Sequence, residues 1–267
     1  MSDPRVSIIL PTLNGEHHLA RLLPMIARQR FEGGFEIRAI DSDSSDRTRE
    51  LLVFLSQDAL PRDESFLAEL VRAFDDPRVA GAYARILPHE ADDPLTKRTA
   101  LDAPEASDVA ETRDLDRVGS LATLSPNERA RFVVFNNVAS AIRRSVFEKI
   151  PFPDVAFGED SAWAARALEA GHRIRFTPES VVLHAHRYDM RTAYERYRID
   201  AAFQLEEHGN VIRPSLWSVA RGIAHEVRRD ARFAMRHGGA LHLLRSPFLR
   251  SAQVFGQRAG SGATRRG

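Results

Sequence analysis

The stretch RELLVFLSQDALP (residues 49–61) decides how this chain is read. Its first half has the look of a helix end. Its second half, Val53 to Leu55, reads as a buried strand that hands Asp58 to a loop. No Gly, Pro, Asn or Ser separates the two halves, so a helix is expected to run straight into a strand. Working outward, VSIIL (6–10) is a short apolar run of the kind found where both strand faces are buried, and Pro11 ends it. Leu19, Leu22, Leu23 and Ile26 then form one helical stripe. Residues 35–40 predict a second strand, followed by the polar DSDSSDRT. Residues 63–74 predict a helix burying Phe66, Leu67, Leu70, Val71 and Phe74, and residues 79–83 a further strand. This alternation argues for an α/β fold built on a mostly parallel sheet.

Residues 88–131 are polar and acidic with little periodicity, which is expected of a lid or mobile loop. Order resumes at 132–135, followed by a short helix near 145–149. A helix over 159–170 ends at Gly171, a common residue just past a helix C-terminus. Strands are expected at 173–176 and 181–184. From Arg191 onward the pattern is helical and rich in Arg, and it is expected to fray into GQRAGSGATRRG.

With 267 residues, 43% of them apolar, the chain can bury a sizeable core. The net charge of +1 hides an asymmetry. Residues 211–267 hold eleven Arg against one Glu and one Asp, a net +9, which leaves −8 for the first 210. A basic tail on an acidic body points to an anionic surface, nucleic acid or membrane. The absence of cysteine excludes disulfides and thiolate metal sites. The start lacks the pattern of a signal peptide, and no apolar run approaches the roughly 20 residues a spanning helix needs. The expected location is cytoplasmic, peripheral to the inner face of the cytoplasmic membrane.

Three polar clusters follow predicted strands: Thr12-Leu13-Asn14, Asp41 to Asp46, and Ser56-Gln57-Asp58. The carboxyl edge of an open α/β sheet is where ligands bind, and a carboxylate there suits a hard divalent cation on a diphosphate. A lone Asp58 would more often be a turn residue or helix cap. Two further clusters shift that balance. Glu159 and Asp160 open a helix, a place that one acid would satisfy through the dipole alone. His184 and His186 end a strand with their side chains on one face, which makes a metal or phosphate site.

The ordered set VSIILPTLNGE, AIDSDSSDRT, VFLSQDALP, FNNVASAIRRSVFEKI, FGEDSAWAARALEAGHRI and VVLHAHRY resembles the family 2 inverting glycosyltransferases of GT-A fold. Within that family it looks most like the bacterial rhamnosyltransferases of surface polysaccharide synthesis. The resemblance implies a GT-A domain over residues 1–190 and a basic amphipathic helical region over 191–267. It also implies transfer of a sugar, rhamnose in that branch, from a nucleotide-sugar donor to a lipid-linked or polysaccharide acceptor. By the same resemblance Pro11, Thr12, Asn14 and Glu16 start the donor pocket, and Asp41 holds the base or ribose. Asp58 and His184 ligate Mg²⁺ or Mn²⁺, with His186 the alternative imidazole. Asp160 is the general base, with Glu159 beside it.

Two departures stand out. Asp43 replaces a Gly usual in the turn after the second strand. Between DRT and VFLSQDA, relatives carry a further strand, loop and helix, on the order of 30 residues, that this chain lacks. That gap supports a rival reading, a glycosyltransferase-like protein with impaired catalysis and a binding or scaffold role. The tail segment 216–236 mixes Trp217, Val219, Ile223, Val227, Phe233 and Met235 with five Arg, as an interfacial helix does. No nucleic-acid module is visible.

Overall fold

The computed structural model describes residues 6–12, 35–41, 51–56 and 58–262. The expected helix through Leu19 and Ile26, the donor residues Asn14 and Glu16, and Asp43 lie outside them.

Strands β1 (Val6–Thr12) and β2 (Phe35–Asp41) pair in parallel, with Thr12 opposite Asp41 at their carboxyl ends. A second sheet is built from β3 (Leu51–Leu55), β4 (Leu60–Pro61), β5 (Val79–Leu87), β6 (Glu111–Arg113), β7 (Ala139–Arg143) and β8 (Arg173–Leu183). Its order is β3-β7-β5-β8-β4, with β6 also on β8. Only β5 and β8 run parallel there; β3–β7, β5–β7, β4–β8 and β6–β8 are antiparallel. The α/β class stands, but the sheet is mixed rather than mostly parallel.

The junction at residues 51–53 is strand, not helix. Leu51 and Leu52, expected to end a helix, are the first residues of β3 and pair with Arg143 and Ile142. Apolar β-capable residues run from 51 to 55, and pairing with β7 satisfies the backbone groups on that side. Among the described residues β3 is an edge strand. Phe54 packs on Phe147 and Phe152, while Val53 and Leu55 are 44% and 41% exposed.

Central strand β7 was not foreseen from the sequence, where order was expected to resume at 132–135. Its first three residues, Ala139, Ser140 and Ala141, are small and weak in β-propensity, yet Ala139 through Ile142 are buried. The two strands expected at 173–176 and 181–184 are one strand, β8. The register against β5 jumps between Ala84 and Arg85, from Thr177 to Val181. That bulge absorbs Pro178, which has no N–H for the ladder.

Helices cover both faces of this sheet. On one face α1 (Phe66–Arg72) contributes Phe66, Leu67 and Leu70 to a cluster with Val79, Ala82, Ala84, Ala141 and Val182. The other face packs Tyr83, Phe135, Ile142, Ile174 and Phe176 against Trp163, Ala167 and Leu168 of a helix at Glu159–Glu169. Gly81 makes room for Trp163, whose ring would lie 2.8 Å from a Cβ at that position.

The polar stretch 88–131 is not a structureless lid. It holds α2 (Pro94–Leu101), β6 and α3 (Pro126–Phe132). Pro94 sits in the first turn of α2, and the Asp93 carboxylate accepts from the N–H groups of Leu95 and Thr96. Ser125 and Glu128 form a reciprocal capping box on α3. After β7 come the short α4 (Arg144–Phe147) and then α5, the Glu159–Glu169 helix already met.

The C-terminal part is α6 (Met190–His208), α7 (Leu216–His237) and α8 (Ser246–Gly262). It does not fray: α8 runs to Gly262. A Cβ on Gly256 would come within 2.4 Å of the Tyr194 carbonyl oxygen, and one on Gly260 within 2.1 Å of the Arg198 oxygen. The two glycines, four apart on α8, let it lie backbone to backbone against α6. At the junction of α2, α7 and α8, Asp230 is 1% exposed and is held by two guanidinium groups. Arg98 Nε lies 2.6 Å from its Oδ1, and Arg250 donates to both oxygens at 2.8 Å. Burial pushes the Asp230 carboxyl up, but the Arg250 bonds outweigh it and hold it below the ordinary range.

Candidate functional site

Asp58 lies in the turn between β3 and β4, where Ala59 donates its N–H to the Ser56 carbonyl. The β4–β8 pairing sets Leu60 opposite Leu183, so the turn meets the chain just after β8. His184 is pinned there by its own N–H, which donates to the Leu87 carbonyl at 2.8 Å. Asp58 Oδ1 is 3.4 Å from His184 Nδ1, and Oδ2 is 4.0 Å from His186 Nδ1. The two imidazoles stand edge to face with centroids 4.5 Å apart. One ligand atom from each of Asp58, His184 and His186 lies within 4.8 Å of the others. The His184 side chain is 10% exposed, against 48% for His186 and 52% for Asp58. Burial lowers the pKa of His184 despite the facing carboxylate, so its neutral, metal-binding form dominates near neutral pH.

His184 and His186 line a cleft of about 930 Å³ that also touches Glu105, Asn136, Tyr188 and Asp200. Asp160 is one hydrogen bond from the wall of that cleft. Asn136 and Val138 face the cleft, and between them the Asn137 N–H donates to Asp160 Oδ2 at 3.3 Å. Asp160 Oδ1 accepts from the Ser161 N–H at 2.7 Å. Burial raises the Asp160 pKa; these N–H bonds oppose it and the neighbouring Glu159 charge adds to it. Helix α5 starts at Gly158, in the left-handed region at φ 76°, and a Cβ there would strike the Phe203 ring at 2.3 Å. Helix α6 therefore fixes where α5 begins, and so where Glu159 and Asp160 stand.

Of the expected donor residues, Pro11, Thr12 and Asp41 lie at the paired carboxyl ends of β1 and β2, Pro11 opposite Ile40 and Thr12 opposite Asp41. The sequence did not point to the second half of the cleft, where α6 supplies Arg196 and Asp200, α7 Glu226 and α8 Gln257, with Tyr188 just before α6 and Arg213 between α6 and α7. The signal available was slight: Asp230 is the one acid between Arg228 and Arg232, and its ion-pair partners Arg98 and Arg250 lie outside that stretch.

No protein-family model matches the chain. It is 32% identical over 151 residues to the O-antigen chain rhamnosyltransferase RfbN of Salmonella typhimurium, a match covering 55% of this chain and 45% of that one. It is also 32% identical over 172 residues to the O-antigen chain rhamnosyltransferase WbaN of Salmonella anatum, covering 62% and 49%. The chain is similar in sequence to O-antigen rhamnosyltransferases. The resemblance carried by the motifs is thus borne out, and this rhamnosyltransferase-like chain spans about half the length of the curated relatives it matches. Among solved structures it is similar to the mannosyltransferase PcManGT from Pyrobaculum calidifontis in complex with GDP-Man and Mn²⁺. The identity is 18% and the TM-score 0.43, over 99% of this chain and 87% of that one.

Proposed function

We propose that the chain is an inverting glycosyltransferase of GT-A type that moves rhamnose from a nucleotide-sugar donor to a lipid-linked or polysaccharide acceptor. The observation that carries this reading is the Asp58–His184–His186 cluster opening on a cleft large enough for a sugar nucleotide. The donor set fits a divalent cation. Two imidazoles and one carboxylate suit Mn²⁺ better than Mg²⁺, which prefers oxygen ligands. When bound, the cation neutralises charge on the leaving nucleoside diphosphate. The Thr12 and Asp41 strand ends form the nucleotide end of the donor site. Asp160, its pKa raised by burial, takes the acceptor proton as the hydroxyl attacks, and Glu159 positions that acceptor.

The rival reading, a catalytically impaired relative, is favoured by β3. Its exposed Val53 and Leu55 lie on an edge strand, where a further strand–helix unit would cover them. A membrane-surface location is supported by exposed Arg221, Arg228, Arg232 and Arg236 on α7 and by exposed Leu241, Leu244 and Phe248 in and just after the turn into α8. Among the described residues no helix is long and apolar enough to cross a membrane.

Calorimetry with a nucleoside diphosphate tests the reading. Affinity should depend on Mn²⁺, vanish in EDTA and be lost in Asp58→Ala. Equal affinity in EDTA would remove the cluster from donor binding. Metal-dependent binding without donor hydrolysis or transfer would favour the impaired relative.

A further inference from the structure

Four guanidinium groups line the cleft: Arg98, Arg196, Arg213 and Arg250. Arg98 and Arg250 are spent on Asp230, and Arg98 also pairs with Asp102 and Glu226 at 2.6 Å each. Arg196 lies 4.4 Å over the Phe157 ring, and burial raises the Asp200 pKa against the opposing charge of Arg196. Arg213 is half-buried. Among the described residues no carboxylate lies within ion-pair distance of it, unlike Arg98 and Arg250, and no aromatic ring lies under it, unlike Arg196. Glu226, the one acid whose field reaches it, is already bonded to Arg98.

The surroundings of Arg213 look built to hold it. Its Nε donates to Gln257 Oε1 at 2.9 Å, and Arg258 donates to its backbone carbonyl at 3.1 Å. Its guanidinium lies on the backbone of Gly222, where a Cβ would stand 2.9 Å from Cζ. A glycine inside a 22-residue helix weakens that helix, and at Gly222 it vacates the seat the guanidinium fills. Burial lowers the pKa of Arg213, as expected of a desolvated cation with no counter-ion in contact. With Nε committed to Gln257, the two terminal nitrogens remain as a fork for an oxyanion.

We infer that Arg213 is the anchor of an anion subsite, taking a phosphate or a sugar carboxylate of the acceptor in the half of the cleft walled by α7 and α8. This rests on the glycosyltransferase reading for the identity of the ligand, but its geometry is independent of the metal cluster. An anionic acceptor group held there would orient the saccharide while leaving Asp58, His184 and His186 to the donor.

Arginine-directed modification of the whole protein with phenylglyoxal, mapped by mass spectrometry, tests it. One equivalent of nucleoside diphosphate with Mn²⁺ should leave Arg213 reactive. Inorganic phosphate or glucuronate should then protect it, and which of the two protects tells a lipid-carrier phosphate from an acidic sugar. Protection by the nucleoside diphosphate alone would assign Arg213 to the donor and overturn the inference, as would no protection by either anion. In EDTA, Arg213→Gln should weaken binding of the protecting anion about 10- to 100-fold. Gly222→Ala, which keeps the charge but displaces it from its seat, should weaken it too, and Asp58→Ala should not. Unchanged anion affinity in Arg213→Gln sinks the subsite whether or not donor binding proves metal-dependent.

Discussion

Asp58 and His184, 126 residues apart in sequence, face each other with Oδ1 and Nδ1 at 3.4 Å because β4 pairs with the last residues of β8. The approach depends on backbone pairing more than on the side chains, which makes the proposed ligands separable by mutation. His184 is the more enclosed imidazole and the one whose main chain is tied to Leu87. His184→Ala should therefore cost more Mn²⁺ affinity than His186→Ala. Titration of Mn²⁺ in the presence of a nucleoside diphosphate measures both. Equal losses would mean that the cation sits outside the cluster or bridges the imidazoles evenly.

Asp160 should show its burial in two ways. Its folded pKa lies above the ordinary carboxylate range, so the fold disfavours the ionised form. Stability relative to Asp160→Asn should then fall as pH rises from below the ordinary carboxylate pKa through the raised one. Denaturant melts of both proteins across that window measure it, and a constant difference would contradict the burial. In transfer assays the acid limb of the rate should lie above the ordinary carboxylate range. Asp160→Asn should lose about 10²–10⁴-fold in turnover with donor binding nearly unchanged. Glu159→Gln should lose less.

How far the sequence could be read divides along physical lines. Strand edges bearing Asp58 and His184, and the helix opened by Glu159 and Asp160, follow from local apolar patterning and turn chemistry, and the structure has them. Strand β7 escaped because Ala139, Ser140 and Ala141 earn their place by burial between neighbours, not by β-propensity. The α2 and α3 helices escaped because the acidic stretch drowned their capping signals, Asp93-Pro94 and Ser125-Pro126-Asn127-Glu128. The tail was read as an interfacial face. Part of its charge pairs within the protein instead: Arg250 is buried against Asp230, and Arg229 reaches Asp102 at 2.5 Å at the surface. No local pattern could place Arg250 against Arg98, since 152 residues separate them.

That internal charge makes the C-terminal helices part of the fold. Asp230→Ala leaves Arg98 and Arg250 buried without their shared carboxylate. Breaking one member of a buried ion pair costs about 3–5 kcal/mol, so the variant should melt well below the parent. Truncation after Arg213 should likewise unfold or aggregate the protein, since it removes α7, α8 and the Gly256 and Gly260 seam against α6. Thermal melts followed by circular dichroism check both, and a truncated chain melting with the parent would show the helices to be dispensable.

Gly81→Ala probes the other face. The added methyl would meet the Trp163 ring at 2.8 Å and the Phe135 ring at 3.0 Å, and both rings are buried. Trp163 cannot swing away without breaking the 2.8 Å bond from its Nε1 to the Ile150 carbonyl. Overpacking of this kind costs about 1–3 kcal/mol. The loss should appear as a lower denaturant midpoint with unchanged m-value.

Membrane attachment calls for variants that spare the interior. Arg221, Arg228, Arg232 and Arg236 are exposed on α7, whereas Arg213, Arg229 and Arg250 make the internal contacts described above. Each basic residue near an anionic leaflet contributes about 1 kcal/mol, so replacing all four by Gln should lower the affinity for phosphatidylglycerol vesicles by up to about 10³-fold at low salt. The helix should survive, because Gln is nearly as good a helix former as Arg. Leu241, Leu244 and Phe248 are 83%, 77% and 64% exposed, and the proposed attachment would bury them in the interface. Leu244→Ser with Phe248→Ser should therefore weaken binding even at salt high enough to screen the arginines. Sedimentation with vesicles of mixed and neutral composition separates the two contributions. Four-glutamine and serine variants that sediment like the parent would end the membrane reading and leave the exposed apolar side chains as a contact between copies of the chain, visible as a concentration-dependent mass.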